Sequence, residues 1–508
     1  MDADVIVVGA GPTGLMLALE LRLAGVQPLV LERHREVRDV KKAGGLGGRI
    51  LELMAYRGLL GRLQAASTEP VPALRLPFGG LHLDFTVLAD PPMELLMLPQ
   101  PELERLLAEL AVEHGVELRR GHELVGLSQD DAAVTAEVRG PDGAYEVTAS
   151  YLVGCDGAHS RVRELTGIPF PGTTYPEIQR LAQTTIPEGV TVLENRDLEV
   201  AGLGRIPFGF TATERGVFAT GATDPAFLGV YTSEQETEDY DDDEPMTVAE
   251  VRDSIHRVLG VDLPLGEPVR LTRFTFHARH AERYRDGRIL LAGDAAHLFP
   301  SGGVALNAGM VDSVNLGWKL GSAVHGWAPP GLLDTYHDER HSAAERTLLH
   351  TRAQVALRRG HDVSADALRE LFLELASDEQ PLRRIGALIA GTDVRYPMPN
   401  PGDHALTGTF ARDLPLRTDR GAGSVGELLH AGRPVLLDLA GRSDLLAVAQ
   451  DWRPRVDTHM AGTDDRPADA LLIRPDAHIV WAAALDEPDR TAAPSLRAAL
   501  SAWFGAPS

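Results

Sequence analysis

Three glycines near the start of the chain have the types and spacing that bind a dinucleotide. Gly9, Gly11 and Gly14 form the motif GAGPTG between an apolar run and a run with helical periodicity. Gly9 permits a tight turn, Gly11 lets the backbone approach a pyrophosphate, and Gly14 lets the helix pack on the strand. Glu32 follows Gly14 by 18 residues and can accept hydrogen bonds from a ribose diol. The motif predicts a dinucleotide with its pyrophosphate at the helix N-terminus, and it does not separate NAD from FAD.

A second set of polar groups follows in YLVGCDGAHSRVRELTG. An apolar strand is predicted to end at Gly154, and Asp156, Arg161 and Arg163 come directly after it. From the residues alone, the pattern fits a strand, an Asp turn and a helix as well as it fits part of a ligand site.

A third set lies in the stretch RILLAGDAAHLFPSGGVALNAGMVDSVNLGWKL. Asp294 follows an apolar strand and can hydrogen-bond a ribitol or ribose hydroxyl. Gly302, Gly303 and Gly309 let the main chain approach a flat group, and a helix starting near Asn307 directs its N-terminal N–H groups backward. A nicotinamide needs no second phosphate-and-diol site so far along the chain, whereas a flavin with a ribityl arm does. The two ends of the chain together therefore predict FAD.

In this order and spacing, the three motifs resemble those of the FAD-dependent aromatic hydroxylases. These are single-component, class A flavoprotein monooxygenases of the para-hydroxybenzoate hydroxylase and phenol hydroxylase type. GAGPTG with the later LER is similar to the first FAD fingerprint, CDGAHSRVR to the DG motif, and GDAAHLFPSGG with NLGWKL to the GD motif. The resemblance covers about residues 1–400. The rest of the chain is similar to the thioredoxin-like appendage of aromatic polyketide and rifampicin-type hydroxylases.

The fold that the resemblance implies is α/β. It combines a Rossmann-like FAD-binding domain of the para-hydroxybenzoate hydroxylase type with a mainly antiparallel substrate domain and a thioredoxin-like C-terminal domain. That last domain lacks a CxxC motif, because the chain has one cysteine, Cys155. The expected boundaries are 1–174 and 281–395 for the FAD-binding domain (with a helical extension over 331–395), 175–280 for the substrate-binding sheet, 396–424 for a linker, and 425–508 for the C-terminal domain.

The resemblance also implies roles for single residues at the nucleotide end. Glu32 would bind the adenosine ribose, and Arg33 would lie near the adenine. Arg49 and Gln100 would contact the region of the ribityl chain and phosphate. Asp156 would belong to a motif that serves both FAD and NAD(P)H.

The same resemblance implies the residues around the redox ring. Asp294 would bind the ribityl chain or the pyrophosphate. Backbone N–H groups beside the isoalloxazine would stabilise negative charge on the reduced ring. The residues expected there are Pro300, Gly302, Gly303, Ala305, Leu306 and Asn307.

The chain departs from the family pattern at two places. Lys42 stands where the family has an arginine. The lysine keeps the positive charge but lacks the planar guanidinium that donates two parallel hydrogen bonds. The usual GGQGLN reads GGVALN, so Val304 replaces a glutamine and Ala305 replaces a glycine that tolerates positive φ. An alanine at positive φ would cost roughly 1 kcal/mol, so we expect a different loop path.

The implied chemistry is reduction of FAD by NAD(P)H, capture of O₂ as a flavin hydroperoxide, and hydroxylation of an activated aromatic ring. The similarity to polyketide hydroxylases favours a large polycyclic, polyketide-type phenol as substrate and antibiotic biosynthesis as the setting. Four alternatives stay open: Baeyer–Villiger insertion or oxidative rearrangement, hydroxylation that inactivates an antibiotic, a non-oxygenating flavin dehydrogenase or oxidase, and a non-enzymatic nucleotide-binding protein.

The pattern assigns no general base. His297 is a candidate, although its place within the GD motif is more typical of a structural residue. His277 and His280, in FHARH, are more typical of satisfied core or surface histidines. Arg205 and Phe210, in GLGRIPFGF, are candidates to face the substrate cavity on the central sheet.

Composition narrows the classes of partner. The 508 residues are 44% hydrophobic, and the formal net charge of −24 argues against nucleic acid and anionic membrane. The single cysteine excludes a disulfide framework and a Cys-based zinc site, and no other metal site is predicted. Asp2 and Asp4 stand where a targeting signal would be basic, and no long apolar run is present. We expect a cytoplasmic monomer or homodimer whose partners are an aromatic substrate, O₂ and NAD(P)H.

Hydrophobic periodicity predicts the elements that must position these residues. The first motif requires a β-α-β unit, and the third requires a strand that runs into a helix. The predicted elements are a strand over 4–8, a helix over 11–25, a strand over 27–33, a helix over 100–115, strands over 116–153, mostly strand over 175–280 with a helix near 247–259, a helix over 310–320, helices within 331–390, and alternating strands and helices over 425–508.

Overall fold

The structure is a computed structural model that describes residues 1–38, 43–67, 70–221, 227–235, 245–301, 303–360, 362–398, 404–419 and 421–507. Two residues with expected roles, Lys42 and Gly302, lie outside the described residues, so their roles stay predictions. Among the described residues, none of the helices combines the length and the hydropathy that crossing a bilayer requires.

The chain opens with the β-α-β unit that its glycine motif predicts. Strand β1 (Ala3–Val8) leads into helix α1 (Pro12–Leu23), and strand β2 (Pro28–Glu32) follows. Proline suits the first position of α1 because its fixed φ is already helical and its missing N–H is not needed there. The next elements are β3 (Leu46–Gly47), α2 (Arg49–Tyr56), α3 (Leu60–Ala65), β4 (Val71–Pro72), β5 (Arg75–Phe78), β6 (Leu81–Asp84), β7 (Glu94–Leu96), α4 (Gln100–Glu113), β8 (Glu117–Arg120), β9 (Glu123–Gln129), β10 (Val134–Gly140), β11 (Gly143–Gly154) and α5 (Arg161–Thr166).

The middle of the chain is mostly strand, as its alternating pattern predicts. The helix predicted near 247–259 is present, and it is capped by Thr247, whose hydroxyl accepts a hydrogen bond from the Glu250 N–H. The elements are β12 (Gly172–Thr185), β13 (Val190–Val192), β14 (Leu198–Val200), β15 (Gly204–Ile206), β16 (Gly209–Thr213), β17 (Gly216–Thr220), β18 (Phe227–Gln235), α6 (Val248–Leu259) and β19 (Pro268–His280).

Helices dominate the next part of the chain. The helix predicted over 310–320 begins five residues earlier, at Ala305, and extends to Val324. The elements are β20 (Arg285–Asp286), β21 (Ile289–Leu291), a 3₁₀ turn (Gly293–Ala295), β22 (His297–Leu298), α7 (Ala305–Val324), α8 (Asp334–Arg358), α9 (Val363–Ala376) and α10 (Glu379–Ala390).

The C-terminal part contains the predicted strands PVLLDLAG, DALLIRP and IVWAAAL, the last two as a hairpin. One further strand, DTHM, was missed because it lacks an apolar run. The elements are β23 (Pro415–Thr418), β24 (Gly421–Ser424), α11 (Val425–Leu428), β25 (Val435–Asp438), α12 (Ser443–Ala449), a 3₁₀ turn (Gln450–Trp452), β26 (Asp457–Met460), β27 (Ala470–Ile473), β28 (Ile479–Ala483) and α13 (Asp489–Phe504).

The largest sheet in the described part of the chain has eight strands. Its main path is β20-β21-β11-β1-β2-β8, and the strands from β21 to β8 along this path are parallel. The chain leaves this sheet after β11 and returns at β20, because β12 to β19 belong mostly to a different sheet. Parallel strands buried by helices need continuous apolar runs, which VIVV and PLVL supply.

The second sheet has six strands in the order β16-β17-β18-β12-β19-β22, with every described pair antiparallel. Helix α6 covers one face, where Phe218, Val251 and Ile255 form part of a buried cluster. The edge strand β22 comes directly after the 3₁₀ turn that ends the eight-stranded sheet. One short segment therefore joins the two sheets.

The C-terminal sheet has the order β26-β25-β27-β28, with β25 and β26 parallel and the other pairs antiparallel. This is the strand order and direction of a thioredoxin-like fold. Within the segment expected as a linker, 396–424, β23 and β24 form a hairpin and Phe410 makes a β-bridge with His478. The Pro- and Gly-rich composition gave no sign of the bridge, since His478 lies far along the chain.

Helix α8 carries a buried histidine, His350, next to a cavity of about 70 Å³ that Asn307 and His478 also line. Burial lowers the pKa of His350 to about 4. An unfolded histidine titrates near 6.5, so the unfolded chain binds more protons between these values.

The contribution of His350 to stability should therefore be complete above about pH 6.5 and be lost as the pH falls toward 4. Urea unfolding of the wild type and of His350→Gln at pH 7 and pH 4.5 measures it. Between pH 7 and pH 4.5, the unfolding free energy of the wild type should fall by up to about 3 kcal/mol more than that of the variant. Equal losses in the two proteins would contradict this assignment.

Candidate active site

The three motifs meet at one edge of the eight-stranded sheet. Glu32 ends β2, Gly9 follows β1, Cys155 follows β11, and Gly293 follows β21. These four strands are parallel neighbours, so their carboxyl ends lie side by side. Three strand spacings give about 15 Å between the outer two. An extended dinucleotide can contact both, which is what the sequence predicts for one FAD.

Close backbone contacts hold the motifs together. A Cβ atom on Gly9, where φ is +104°, would lie 2.4 Å from the carbonyl oxygen of Cys155. A Cβ atom on Gly14 would lie 2.0 Å from the carbonyl oxygen of Gly9. A Cβ atom on Gly309 would lie 2.5 Å from the Thr13 hydroxyl oxygen. Glycine is therefore required where the first motif touches the second and the third.

The first turn of α1 fits a pyrophosphate. Its N-cap, Gly11, has no side chain to occupy the N–H groups of that turn, which have no partner within the helix. A Cβ atom on Gly11 would meet no protein atom within 4 Å, so space is open in front of the helix. An anion placed there would be stabilised by these N–H groups and by the helix dipole.

Glu32, the last residue of β2, lies at the end of the site that is expected to bind the ribose. Its Oε2 accepts a hydrogen bond from the Ala10 N–H, and its Oε1 accepts one from the His34 N–H, each at 2.8 Å. A carboxylate has about four acceptor positions, so two backbone bonds leave capacity for a ribose diol. The neighbouring Arg33 is exposed and lines an open polar depression of about 480 Å³. These groups fit the adenosine half of FAD.

The carboxylate of Asp156 is hydrogen-bonded by residues of its own motif. One carboxylate oxygen accepts a hydrogen bond from the Ser160 hydroxyl at 2.5 Å, and the other accepts one from the Val162 N–H at 3.0 Å. Burial raises the pKa of this carboxyl. The side chain thus holds the start of α5. Arg163, from the same motif, donates to the carbonyl oxygen of Ala295 at 2.8 Å and so ties the second motif to the third.

The third motif follows a different path from the one expected. Ala305 is the first residue of α7 and does not have a positive φ, so the expected strain is absent there. A helical start suits alanine, which explains how the chain tolerates the loss of a glycine. Gly303 keeps φ at +87°, and its open side meets no protein atom within 4 Å of a Cβ position. Asn307 holds this turn by donating to the Gly303 carbonyl oxygen at 2.9 Å.

The other residues expected at the redox ring lie along this segment. Asp294 is half-buried in the 3₁₀ turn after β21, Pro300 is buried, and Leu306 is half-buried in the first turn of α7. The segment that contains these residues connects the end of the eight-stranded sheet to the N-terminus of α7. Their expected contacts with the flavin stay predictions.

His297 lies in the interior. It is completely buried, and its Nε2 bonds to Asp312 Oδ2 at 2.8 Å. Asp312 also accepts from the Gly293 N–H at 2.9 Å and from Arg340 Nε at 2.7 Å. Burial alone would raise the pKa of Asp312, but His297 and Arg340 hold it below its usual range. This packing supports a structural role for His297 and argues against it as a base that touches substrate.

Asp312 and Arg340 were missed as site residues, although together they fix the segment that carries Gly293. The sequence did contain a signal for Asp312, since this residue lies within the third motif. Arg340 gave no signal, because its partner lies 28 residues away on another helix.

Arg49 and Gln100 each occupy the first turn of a helix. The Arg49 guanidinium bonds to Glu52 at 2.7 Å and lies 3.9 Å from the centre of the Phe410 ring. Gln100 donates to Glu104 at 2.8 Å. Their expected contacts with the ribityl–phosphate region stay predictions, and Arg49 has in addition a role in joining α2 to the C-terminal part.

The face of the six-stranded sheet opposite α6 is aromatic, and His82 packs beside Phe210 on this face. The strand register places Phe210, Tyr231 and Leu181 on the face opposite α6, and Gln179 and Phe274 lie beside them. Four of these five residues are half-buried, and the Tyr231 hydroxyl donates to Gln179 Oε1. A flat apolar ligand with a polar edge matches this surface.

The prediction for Arg205 does not fit this face. Arg205 lies on β15 of a separate three-stranded sheet, its side chain is 56% exposed, and it pairs with Asp197 at 2.6 Å. The sequence placed Arg205 and Phe210 on one sheet because both lie in the short segment GLGRIPFGF. The Pro207–Phe208 turn between them starts a new strand in another sheet.

Comparisons with known proteins agree with this geometry. A family model described as an FAD binding domain matches residues 2–351, and one described as the C-terminal part of aromatic-ring hydroxylases matches residues 404–507. The chain is 42% identical to the 12-dehydrotetracycline 5-monooxygenase/anhydrotetracycline 6-monooxygenase of Streptomyces rimosus subsp. rimosus, over the whole of both chains. It is 40% identical to the rifampicin monooxygenase of Streptomyces venezuelae, over 99% of both.

A solved structure shows the same overall arrangement. The anhydrotetracycline hydroxylase OxyS from Streptomyces rimosus superposes with a TM-score of 0.87 at 41% identity, and the match covers 100% of both chains. The family models describe an FAD binding domain and an aromatic-ring hydroxylase, and the three relatives are named as monooxygenases or hydroxylases. The chain therefore belongs to the FAD-dependent aromatic-ring hydroxylases, a family of flavoprotein monooxygenases.

Proposed function

We propose that this protein uses NAD(P)H and O₂ to hydroxylate a large polycyclic phenol of the polyketide type in antibiotic biosynthesis. The observation that carries the proposal is the aromatic face of the six-stranded sheet. That sheet ends in β22, and the chain runs from β22 through Gly303 into α7. Phe274, on β19 next to β22, lies at the side of the face toward this segment, so a large ligand that extends to this side would approach the segment expected beside the redox ring.

The residues of the chain supply binding and orientation. When bound, FAD supplies electron transfer from NAD(P)H and the activation of O₂. The N-terminal N–H groups of α7 stabilise negative charge near the ring. Phe210 and Phe274 present flat apolar surface, and the Tyr231–Gln179 pair can hydrogen-bond a phenolic oxygen. The relatives named for anhydrotetracycline and rifampicin support a large substrate.

Oxygen-18 labelling tests the proposal. The flavin-loaded protein is incubated with ¹⁸O₂, NADH or NADPH, and a panel of polycyclic phenols, and products are analysed by mass spectrometry and NMR. We expect one labelled oxygen on an intact ring and nucleotide oxidation that depends on the phenol. Label inserted into a carbon–carbon bond would identify Baeyer–Villiger chemistry. Product without label would identify a dehydrogenase or oxidase and contradict the proposal.

Phe210→Ala tests the substrate face. Removing the ring takes away apolar contact worth about 1.5–3 kcal/mol, so KM for the phenol should rise about tenfold or more with little loss of fold stability. Steady-state kinetics and urea unfolding measure the two effects.

Phe218→Ala is the matched control, because Phe218 is fully buried on the opposite face against α6. This variant should lose about 3–5 kcal/mol of unfolding free energy. An unchanged KM in Phe210→Ala would show that the substrate does not use this face.

A further inference from the structure

Three histidines and a glutamate meet where the long strand of the six-stranded sheet approaches α8. His280 is the last residue of β19. His337, His341 and Glu345 follow one another at intervals of four residues along α8, so they share one face of the helix. The His280 and His341 ring centres are 3.8 Å apart, and those of His337 and His341 are 4.7 Å apart. This cluster is not used by any step proposed above.

The atoms that could hold a metal ion already converge. One ring nitrogen of His280, one of His341 and one carboxylate oxygen of Glu345 all lie within 4.8 Å of one another. The His341 Nδ1 and Glu345 Oε1 atoms are 3.6 Å apart. Ligand atoms around a tetrahedral Zn²⁺ lie about 3.3 Å from one another, because each bond is about 2.0–2.2 Å long. The His280 and His341 rings are stacked with their planes 21° apart, so one ring must turn out of this stack for both nitrogens to face the same ion.

Outer hydrogen bonds orient the two imidazoles. His280 Nε2 bonds to the Tyr284 hydroxyl at 2.7 Å, and His341 bonds to the backbone of Ala281. A metal-binding histidine characteristically uses its second ring nitrogen in this way, which fixes the tautomer and aims the other nitrogen.

The cluster is open on one side. The Glu345 side chain is 65% exposed and the His341 side chain is 23% exposed, so an ion can enter from solvent. The carboxylate would bring negative charge to two neutral nitrogens, a donor set that suits zinc.

We propose that His280, His341 and Glu345 form a Zn²⁺ site that ties the end of β19 to α8. Water or His337 would take the remaining position. The ion would link the sheet that carries the proposed substrate face to a helix packed against the eight-stranded sheet. The sequence predicted no metal site, because His280 and His341 are 61 positions apart. The proposal does not depend on the nature of the substrate.

Zinc titration of untagged, chelator-treated, flavin-loaded protein tests the site. Isothermal titration calorimetry should show one Zn²⁺ per chain, and thermal unfolding should shift to higher temperature when zinc is added. His341→Ala and Glu345→Gln should each weaken binding at least about tenfold and remove the thermal shift. Glu345→Gln changes an exposed side chain, so its result does not depend on a variant that folds poorly.

His256→Ala is the matched control. His256 lies on α6, is 60% exposed and pairs with Asp262 at 2.8 Å. It is therefore a histidine–carboxylate pair that lies outside the cluster. This variant should bind zinc like the wild type. The proposal is overturned by a wild type that binds no stoichiometric zinc, or by His341→Ala and Glu345→Gln variants that bind it unchanged.

Discussion

Gly11→Ala should leave the fold intact and weaken FAD binding at least about tenfold, which corresponds to about 1.4 kcal/mol. The added methyl group meets no protein atom within 4 Å, so nothing in the chain opposes it. It would, however, occupy the space in front of α1 that a pyrophosphate needs. Flavin fluorescence during titration of the flavin-free protein measures affinity, and circular dichroism measures the fold.

Gly61→Ala is the matched control, since a Cβ atom there also meets nothing within 4 Å and Gly61 lies in α3, outside the motif. It should bind FAD like the wild type. Gly14→Ala should behave differently from both, because its methyl group would lie 2.0 Å from the Gly9 carbonyl oxygen and disrupt folding. Wild-type affinity in Gly11→Ala would place the pyrophosphate somewhere other than the start of α1.

Arg474→Met should destabilise the protein by about 3–5 kcal/mol. Arg474 is completely buried between the C-terminal sheet and α8, where its guanidinium bonds to Glu339 at 2.6 Å and also to Asp476. Lys319 donates to the same Glu339 at 2.8 Å. Removing the arginine leaves two buried carboxylates with one buried lysine. Urea unfolding at pH 7 measures the loss.

The control for this variant is Arg497→Ala in the same C-terminal part. Arg497 is 50% exposed and lies 3.4 Å from Asp451, so its loss should cost no more than about 1 kcal/mol. A similar cost for both variants would contradict the view that the buried ions join the C-terminal part to the rest of the protein.

The sequence predicted the β-α-β unit at the start of the chain well, because that unit depends on local rules. A strand, a glycine turn and a helix must follow one another for a pyrophosphate to bind, and all three lie within 30 residues. The prediction that Glu32 and Asp294 contact one molecule is consistent with the parallel order of β2, β1, β11 and β21. Family resemblance supplied the assignment of FAD.

The sequence failed where partners are distant. The expected strain at Ala305 is absent because α7 begins there, and a helix start is set by packing as well as by residue type. The β-bridge of Phe410 has its partner, His478, far along the chain. The ion network of Arg474, Glu339 and Lys319 joins residues up to 155 positions apart, and no spacing rule detects such pairs.

The crystal structure of the protein with FAD bound tests the central claim most directly. The account predicts one FAD per chain, with its adenosine ribose at Glu32 and its ribityl chain or pyrophosphate at Asp294. A flavin that contacts only one of these two carboxylates, or two separate nucleotides that contact one each, would contradict it.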